Sequence, residues 1–209
     1  LQLTVEQKAD VRRWFWETPA ATVPFGMVQP GPDTARCGDR YEYGKSHCSG
    51  YQYADRFLWR FSQTHVSGMG VPAGGNVALL PLLSGEAGVS SEMDKDSESG
   101  VPGYYFVRLK NGISCHVTAS ERTSVYRFSY PHDRQAELLF DLDWALMQPQ
   151  EGGDSVFTRQ VMAGDCRFDS STTLLGYQRL RCYVEYTVCF AVEFSAPIPL
   201  TTTVTPLEE

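Results

Sequence analysis

A single imidazole, His65, stands among groups that could form an acyl-transfer relay. Ser62 and Ser67 are close on either side, and Asp55 precedes it. Such chemistry needs a serine on a sharp elbow and backbone donors for the oxyanion. No Gly-x-Ser-x-Gly run occurs, so we expect His65 to be a hydrogen-bonded structural histidine. Glu92, Asp94, Asp96 and Glu98 place oxygen ligands at alternate positions, as a calcium loop does. Counted from Asp94, however, the glycine is seventh rather than sixth, and Tyr105 stands where a bidentate Glu is needed. The run is expected to be a solvated loop. His47-Cys48 and Cys115-His116 hint at zinc, but adjacent residues on a strand point to opposite faces and cannot chelate one ion. Gly68-Met69-Gly70-Val71-Pro72-Ala73-Gly74-Gly75 lacks a following helix, whose dipole a phosphate would need. These patterns predict no catalytic residue, no metal ligand and no cofactor.

Sugar recognition is the remaining chemistry. Tyr41, Tyr43, Tyr51 and Tyr53 could pack against the apolar face of a saccharide, with Gln63 and His65 as hydrogen-bonding neighbours. The competing reading is that half of these rings fill a core.

The composition sets bounds on partners and on fold. The chain has 209 residues, 42% hydrophobic and 21% charged, which suits one large globular domain. A net charge of −7 without a basic stripe excludes nucleic acid as an expected partner. No apolar run reaches the roughly 18 residues of a membrane helix, and Pro81 breaks the best of them, Val77 to Leu83.

Six cysteines without a Cys-x-x-Cys pair predict disulfides rather than zinc or thiol redox chemistry. With a first residue that is not Met, they point to a secreted, extracellular or cell-surface protein. The fifteen pairings that six cysteines allow stay open. Cys37–Cys48 would close a polar excursion and stabilise by roughly 2–4 kcal/mol; Cys166–Cys182 is expected next, leaving Cys115–Cys189.

The elements that must position these groups are mostly strands. Thr4-Val5-Glu6-Gln7 has the form of a capping box, which predicts a short N-terminal helix to about Arg13. Ala21 to Val28 is expected to be extended, and the Tyr51/Tyr53 alternation suits a strand. Asn76 to Leu83 is predicted as a buried strand, and Ser84 to Gly103 as a polar loop. Tyr104 to Leu109 and Ile113 to Ser120 form a predicted hairpin through Lys110-Asn111-Gly112. Further strands are expected over Ser124–Tyr130, Ala136–Asp141, Ser155–Ala163, Arg167–Ser170, Leu174–Arg179 and Cys182–Phe194. So many short strands predict an all-β fold: a two-sheet antiparallel β-sandwich with a short N-terminal helix and long polar loops. The expected division is an extension over 1–19, a sandwich over 20–198 and an extended tail over 199–209.

Several segments resemble the N-terminal domain of glycoside hydrolase family 92, the exo-acting α-mannosidases. They include Ala21-Thr22-Val23-Pro24-Phe25-Gly26, Pro32-Asp33-Thr34, Cys48-Ser49-Gly50-Tyr51, Phe61-Ser62-Gln63-Thr64-His65, Ala78-Leu79-Leu80-Pro81, Asn111-Gly112-Ile113 and Ala191-Val192-Glu193-Phe194. The resemblance implies a sandwich packed on a helical (α/α)₆ barrel, a calcium-dependent sugar site between the two, and a general acid and base supplied by the barrel. Inverting hydrolysis needs both carboxyl groups across a water-sized gap, and the barrel is not in this sequence. The departures fall where the family meets sugar. Glu17-Thr18-Pro19-Ala20 shortens a Gly- and His-rich loop, and Lys45 or a neighbour takes a tryptophan's place. Gln63 replaces a histidine, and Arg60 a glycine.

Scaffold residues are thus retained and sugar-facing ones lost. The expected function is a secreted, non-catalytic sandwich used as a structural or assembly subunit. Its expected partners are itself or another extracellular chain, met through strand edges and termini, and mannose-type glycans. Two alternatives stand beside this reading: a detached domain of an active calcium-dependent exo-α-mannosidase, and a glycan-binding module.

Overall fold

The computed structural model describes residues 20–24, 26–34, 49–65, 73–146, 161–181 and 184–199. In chain order the strands are β1 (Gly31–Asp33), β2 (Phe57–Leu58), β3 (Arg60–Ser62), β4 (Ala78–Leu83), β5 (Ser91–Val101), β6 (Tyr104–Leu109), β7 (Ser114–Ala119), β8 (Ser124–Ser129), β9 (Ala136–Asp141), β10 (Val161–Phe168), β11 (Thr173–Arg181) and β12 (Glu185–Glu193). The described residues contain no helix. The helix expected near Thr4 and the tail from Thr201 lie outside them.

Three antiparallel sheets result, ordered β1-β3-β4-β9, β2-β5-β6-β7-β8 and β10-β11-β12. The first two enclose the main core. Phe61, Leu80 and Leu82 from one meet Met93, Tyr105, Val107 and Val117 from the other. Strict alternation drives this: in β6, Tyr105, Val107 and Leu109 are buried while Tyr104 and Arg108 face out. β4 is buried at every position, as a strand inside a sheet must be when both faces are covered. A smaller cluster of Ala145, Val161 and Leu180, with Tyr186 against it, roots the three-stranded sheet.

The β6–β7 hairpin forms as its sequence predicts. Gly112 N–H donates to Leu109 O, and Gly112 takes φ +95°, so Lys110-Asn111-Gly112 is a three-residue loop with glycine in the left-handed position.

Elsewhere the structure differs from expectation. Ser84 to Gly103 is not one polar loop, because Ser91 and Met93 point into the core and β5 is an eleven-residue strand. Glu92 and Asp94 lie on the other side, whereas Glu98, past the bulge, is turned inward. Tyr51 to Arg56 is not a strand but a loop, turned where Asp55 N–H donates to Gln52 O. Gly164-Asp165 does not separate two strands; β10 runs through both, opposite Gln178 and Tyr177.

The disulfide expectation also changes. Cys115, Cys166 and Cys189 are free thiols. Cys115 is buried in β7, within the main core, whereas Cys189 is exposed on β12, at the edge of another sheet, so Cys115–Cys189 does not form. Cys166 faces Gly176 across β10–β11 and is likewise unbridged. Cys37, Cys48 and Cys182 lie outside the described residues.

Candidate functional site

The main polar centre gathers at the end of β1 and just past β3. His65 Nδ1 lies 2.7 Å from Gln29 O, and a carbonyl only accepts, so this nitrogen is a donor. Its Nε2 is 2.8 Å from Asp33 Oδ1, while Asp33 Oδ2 accepts from Trp144 Nε1–H at 2.7 Å. The side chains of His65 and Asp33 have no exposed surface. Ser62 Oγ also sits at Nε2, 3.2 Å away. A catalytic relay needs Asp and Ser on opposite ring nitrogens; here both crowd the same one, and Ser62 is fully buried. The geometry is that of a structural clamp.

The backbone is shaped to admit this clamp. Gly50 takes φ +81°, and a Cβ there would lie 2.4 Å from Asp33 Oδ1 and 2.6 Å from Leu146 Cδ2. Only glycine allows both the left-handed turn and the close approach. Thr34 continues the attachment. Its N–H donates to Gly50 O at 2.6 Å, its hydroxyl donates to Asp55 Oδ2 at 2.6 Å, and its Oγ1 accepts Gln52 N–H at 2.9 Å. The loop of residues 50–55 is thereby fixed to β1.

A second group of side chains holds the loop from the other side. β5 slips register between Asp94 and Ser99, and the intervening bulge carries Lys95 and Glu98. Glu98 Oε1 accepts the hydroxyls of Tyr51 at 2.9 Å and Tyr105 at 2.6 Å, and its carboxylate forms an ion pair with Lys95. The Lys95 ammonium lies 5.1 Å from the Tyr51 ring centre and 4.7 Å from that of Tyr53. Burial, with the Glu98 charge behind it, raises the phenol pKa of Tyr51 and of Tyr105.

The residues expected to bind sugar therefore divide. Tyr51 is buried with its hydroxyl engaged, whereas Tyr53 is 37% exposed beside Lys95. Gln63 Nε2 donates to Val77 O at 3.2 Å and to the Tyr126 hydroxyl at 2.9 Å. His65 belongs to the clamp, and Tyr41 and Tyr43 lie outside the described residues. Sequence reasoning did not single out Asp33, Trp144 or Lys95 as site residues, and it placed Glu98 in a solvated acidic run, whereas its side chain is buried. Asp33 lay in the conspicuous Pro32-Asp33-Thr34, but Trp144 had no local signal.

Gln63 also helps to hold an unusual backbone. Val77 is β-branched yet takes φ +49°, and besides Gln63 at its carbonyl, Gln178 Oε1 accepts its N–H at 2.9 Å. Nearby, two buried atoms lack a hydrogen-bond partner: Gln29 Oε1 and Asn76 Nδ2.

The described residues do not fit the calcium implied by the resemblance. Glu92 is engaged by Arg56, Asp94 by Lys110, and Glu98 by Lys95 and two phenols. Among these residues no three acidic, histidine or cysteine side chains converge.

The sequence profile of the glycosyl hydrolase family 92 N-terminal domain matches residues 17–208. A family 92 α-mannosidase from Bacteroides thetaiotaomicron, solved with mannoimidazole, is 27% identical with a TM-score of 0.73, over 92% of this chain and 26% of its own. An inverting mannosidase of the same family from Bacteroides thetaiotaomicron VPI-5482 shares the fold at 16% identity and TM-score 0.52, over 86% of this chain and 27% of its own. An uncharacterized secreted glycosidase from Arthroderma benhamiae is 29% identical over 126 residues, 55% of this chain and 15% of that protein. The chain thus spans only a minor part of each relative's length. With the profile covering nearly all of it, the chain belongs to the glycosyl hydrolase family 92 N-terminal domain family.

Proposed function

We propose that this chain is a secreted, non-catalytic sandwich that works by association: it serves as a structural or assembly subunit, and hydrolyses nothing by itself. The observation behind this reading is the state of its two buried site carboxylates. Inverting glycoside hydrolysis wants two carboxyl groups roughly 6.5–9.5 Å apart with water between them. Asp33 is instead enclosed by His65 and Trp144, and Glu98 by Tyr51, Tyr105 and Lys95. Glu98 holds Tyr51 of the 50–55 loop, and Asp33 packs against its Gly50. Secretion is supported by the name of the Arthroderma relative. Association has a route through the edge strands β8 and β12, whose outer backbone has no strand partner among the described residues.

The chain's 26% share of the Bacteroides α-mannosidase favours a second reading, in which it is part of an active mannosidase. One experiment separates the two. Purified chain is incubated with an aryl α-mannoside and with mannobiose, with and without calcium, and its native mass is measured. No turnover, with a dimer or larger species, is expected. Turnover by the chain alone overturns the proposal; turnover only after a separately produced helical barrel is added favours the second reading.

A further inference from the structure

The outer face of β5–β8 lies away from the His65 clamp and has no role in the reading above. Outward positions of a sandwich sheet are ordinarily polar. Here one row across the sheet is Val101, Tyr104, Thr118 and Val125, and the next is Ser99, Phe106, His116 and Arg127. Val101, Tyr104 and Val125 are exposed, so an aromatic and aliphatic patch lies open on this face.

The rings are fixed in place. The Tyr104 hydroxyl is 2.6 Å from His116 Nδ1, and the Phe106 ring centre is 4.7 Å from that of His116. Burial, then the nearby Arg127 charge, lower the pKa of His116. Nδ1 is engaged by the Tyr104 hydroxyl, which leaves Nε2 as the ring nitrogen available to a ligand. Beside it Arg127 is exposed, and neither it nor Arg108 has an ion-pair partner among the described residues. Arg108 faces Asp94 across β5–β6, whereas Arg127 stands at the far end of the His116 row, and in a chain of net charge −7 it marks a place for an anion.

We propose that this face binds an anionic saccharide chain, with Tyr104, Phe106 and His116 contacting sugar rings and Arg127 taking the acid group. Sugar C–H faces pack on aromatic rings, and Arg grips a carboxylate or phosphate through two parallel hydrogen bonds. A peptide would instead seek a strand edge or a groove, whereas the contacts here come from side chains in the middle of a sheet face.

The test is a titration of the isotopically labelled chain, followed by amide shifts, with four probes: trigalacturonate, a phosphorylated mannotriose, neutral mannotriose and pentaglutamate. Saturable shifts centred on β6–β8 are expected with one or both charged sugars, and which of them binds identifies the acid group. Arg127→Gln, and Tyr104→Ala combined with Phe106→Ala, should each weaken binding at least tenfold. All three residues lie on the outer face, so circular dichroism should be unchanged. Equal binding of neutral mannotriose or of pentaglutamate overturns the proposal, as does the absence of shifts on this face or binding that survives both variants.

Discussion

His65 Nε2 meets Asp33 Oδ1 at 2.8 Å, where neither side chain touches water. Removing Asp33 leaves two buried groups, His65 Nε2 and Trp144 Nε1–H, without their hydrogen-bond partner, at about 1–3 kcal/mol each. Asp33→Ala should therefore lower unfolding free energy by about 2–5 kcal/mol. Asp33→Asn keeps an acceptor for Trp144 and supplies an amide donor to Nε2, and should cost under about 1.5 kcal/mol. Urea denaturation of both variants checks the contrast; equal losses would show that shape rather than the hydrogen-bonded pair holds this centre.

Gly50→Ala should be among the most damaging small changes in the chain. It places a methyl against Asp33 and Leu146 at a positive φ. Left-handed backbone alone costs about 1–2 kcal/mol for a residue with a Cβ, and the contacts add to it. A melting temperature within a few degrees of the parent would refute this account of the loop.

Thiol labelling should divide the described cysteines. Cys189 is exposed, whereas burial raises the Cys115 thiol far above its ordinary range. In native buffer without reductant, Cys189 should be alkylated promptly and Cys115 only after denaturant is added. Protection of both until reductant is supplied would restore the bridge between them.

The buried phenols should set an alkaline limit. The pKa values of Tyr51, Tyr105, Tyr126 and Tyr130 are all raised from 10.0, chiefly by burial. A raised folded pKa means that the unfolded chain releases protons first. These groups therefore stabilise fully below about pH 10 and lose that contribution as pH climbs towards the folded values. Ultraviolet titration should show these phenolates appearing together with unfolding; smooth ionisation of every tyrosine near pH 10 in a folded chain would contradict the burial.

Local signals made much of the sandwich legible. β6 and β9 fall on their predicted residues, and Asn111-Gly112 marks the turn between β6 and β7. β5 was hidden because its outward Glu92, Asp94 and Asp96 give a strand the composition of a loop, and only Met93 announces the core. The site was less legible. His65 could be read as hydrogen-bonded, but its partner lies 32 residues away and the tryptophan behind it 111 residues from Asp33. Tyr51 and Tyr53 looked equivalent by spacing, yet the bulge that brings Glu98 to one hydroxyl is a tertiary feature that no window reveals.

The left-handed Val77 ties the two ends of the sequence to a common fate. One of its two holding amides, Gln178, arrives 101 residues later, from the middle strand of another sheet. Strain of about 1–3 kcal/mol persists only while its surroundings enforce it. A chain shortened before Gln178 would let this corner relax, pulling Gln63 and the neighbouring strand out of line. Losing Gln178 would thus be felt at a corner built 101 residues earlier in the chain.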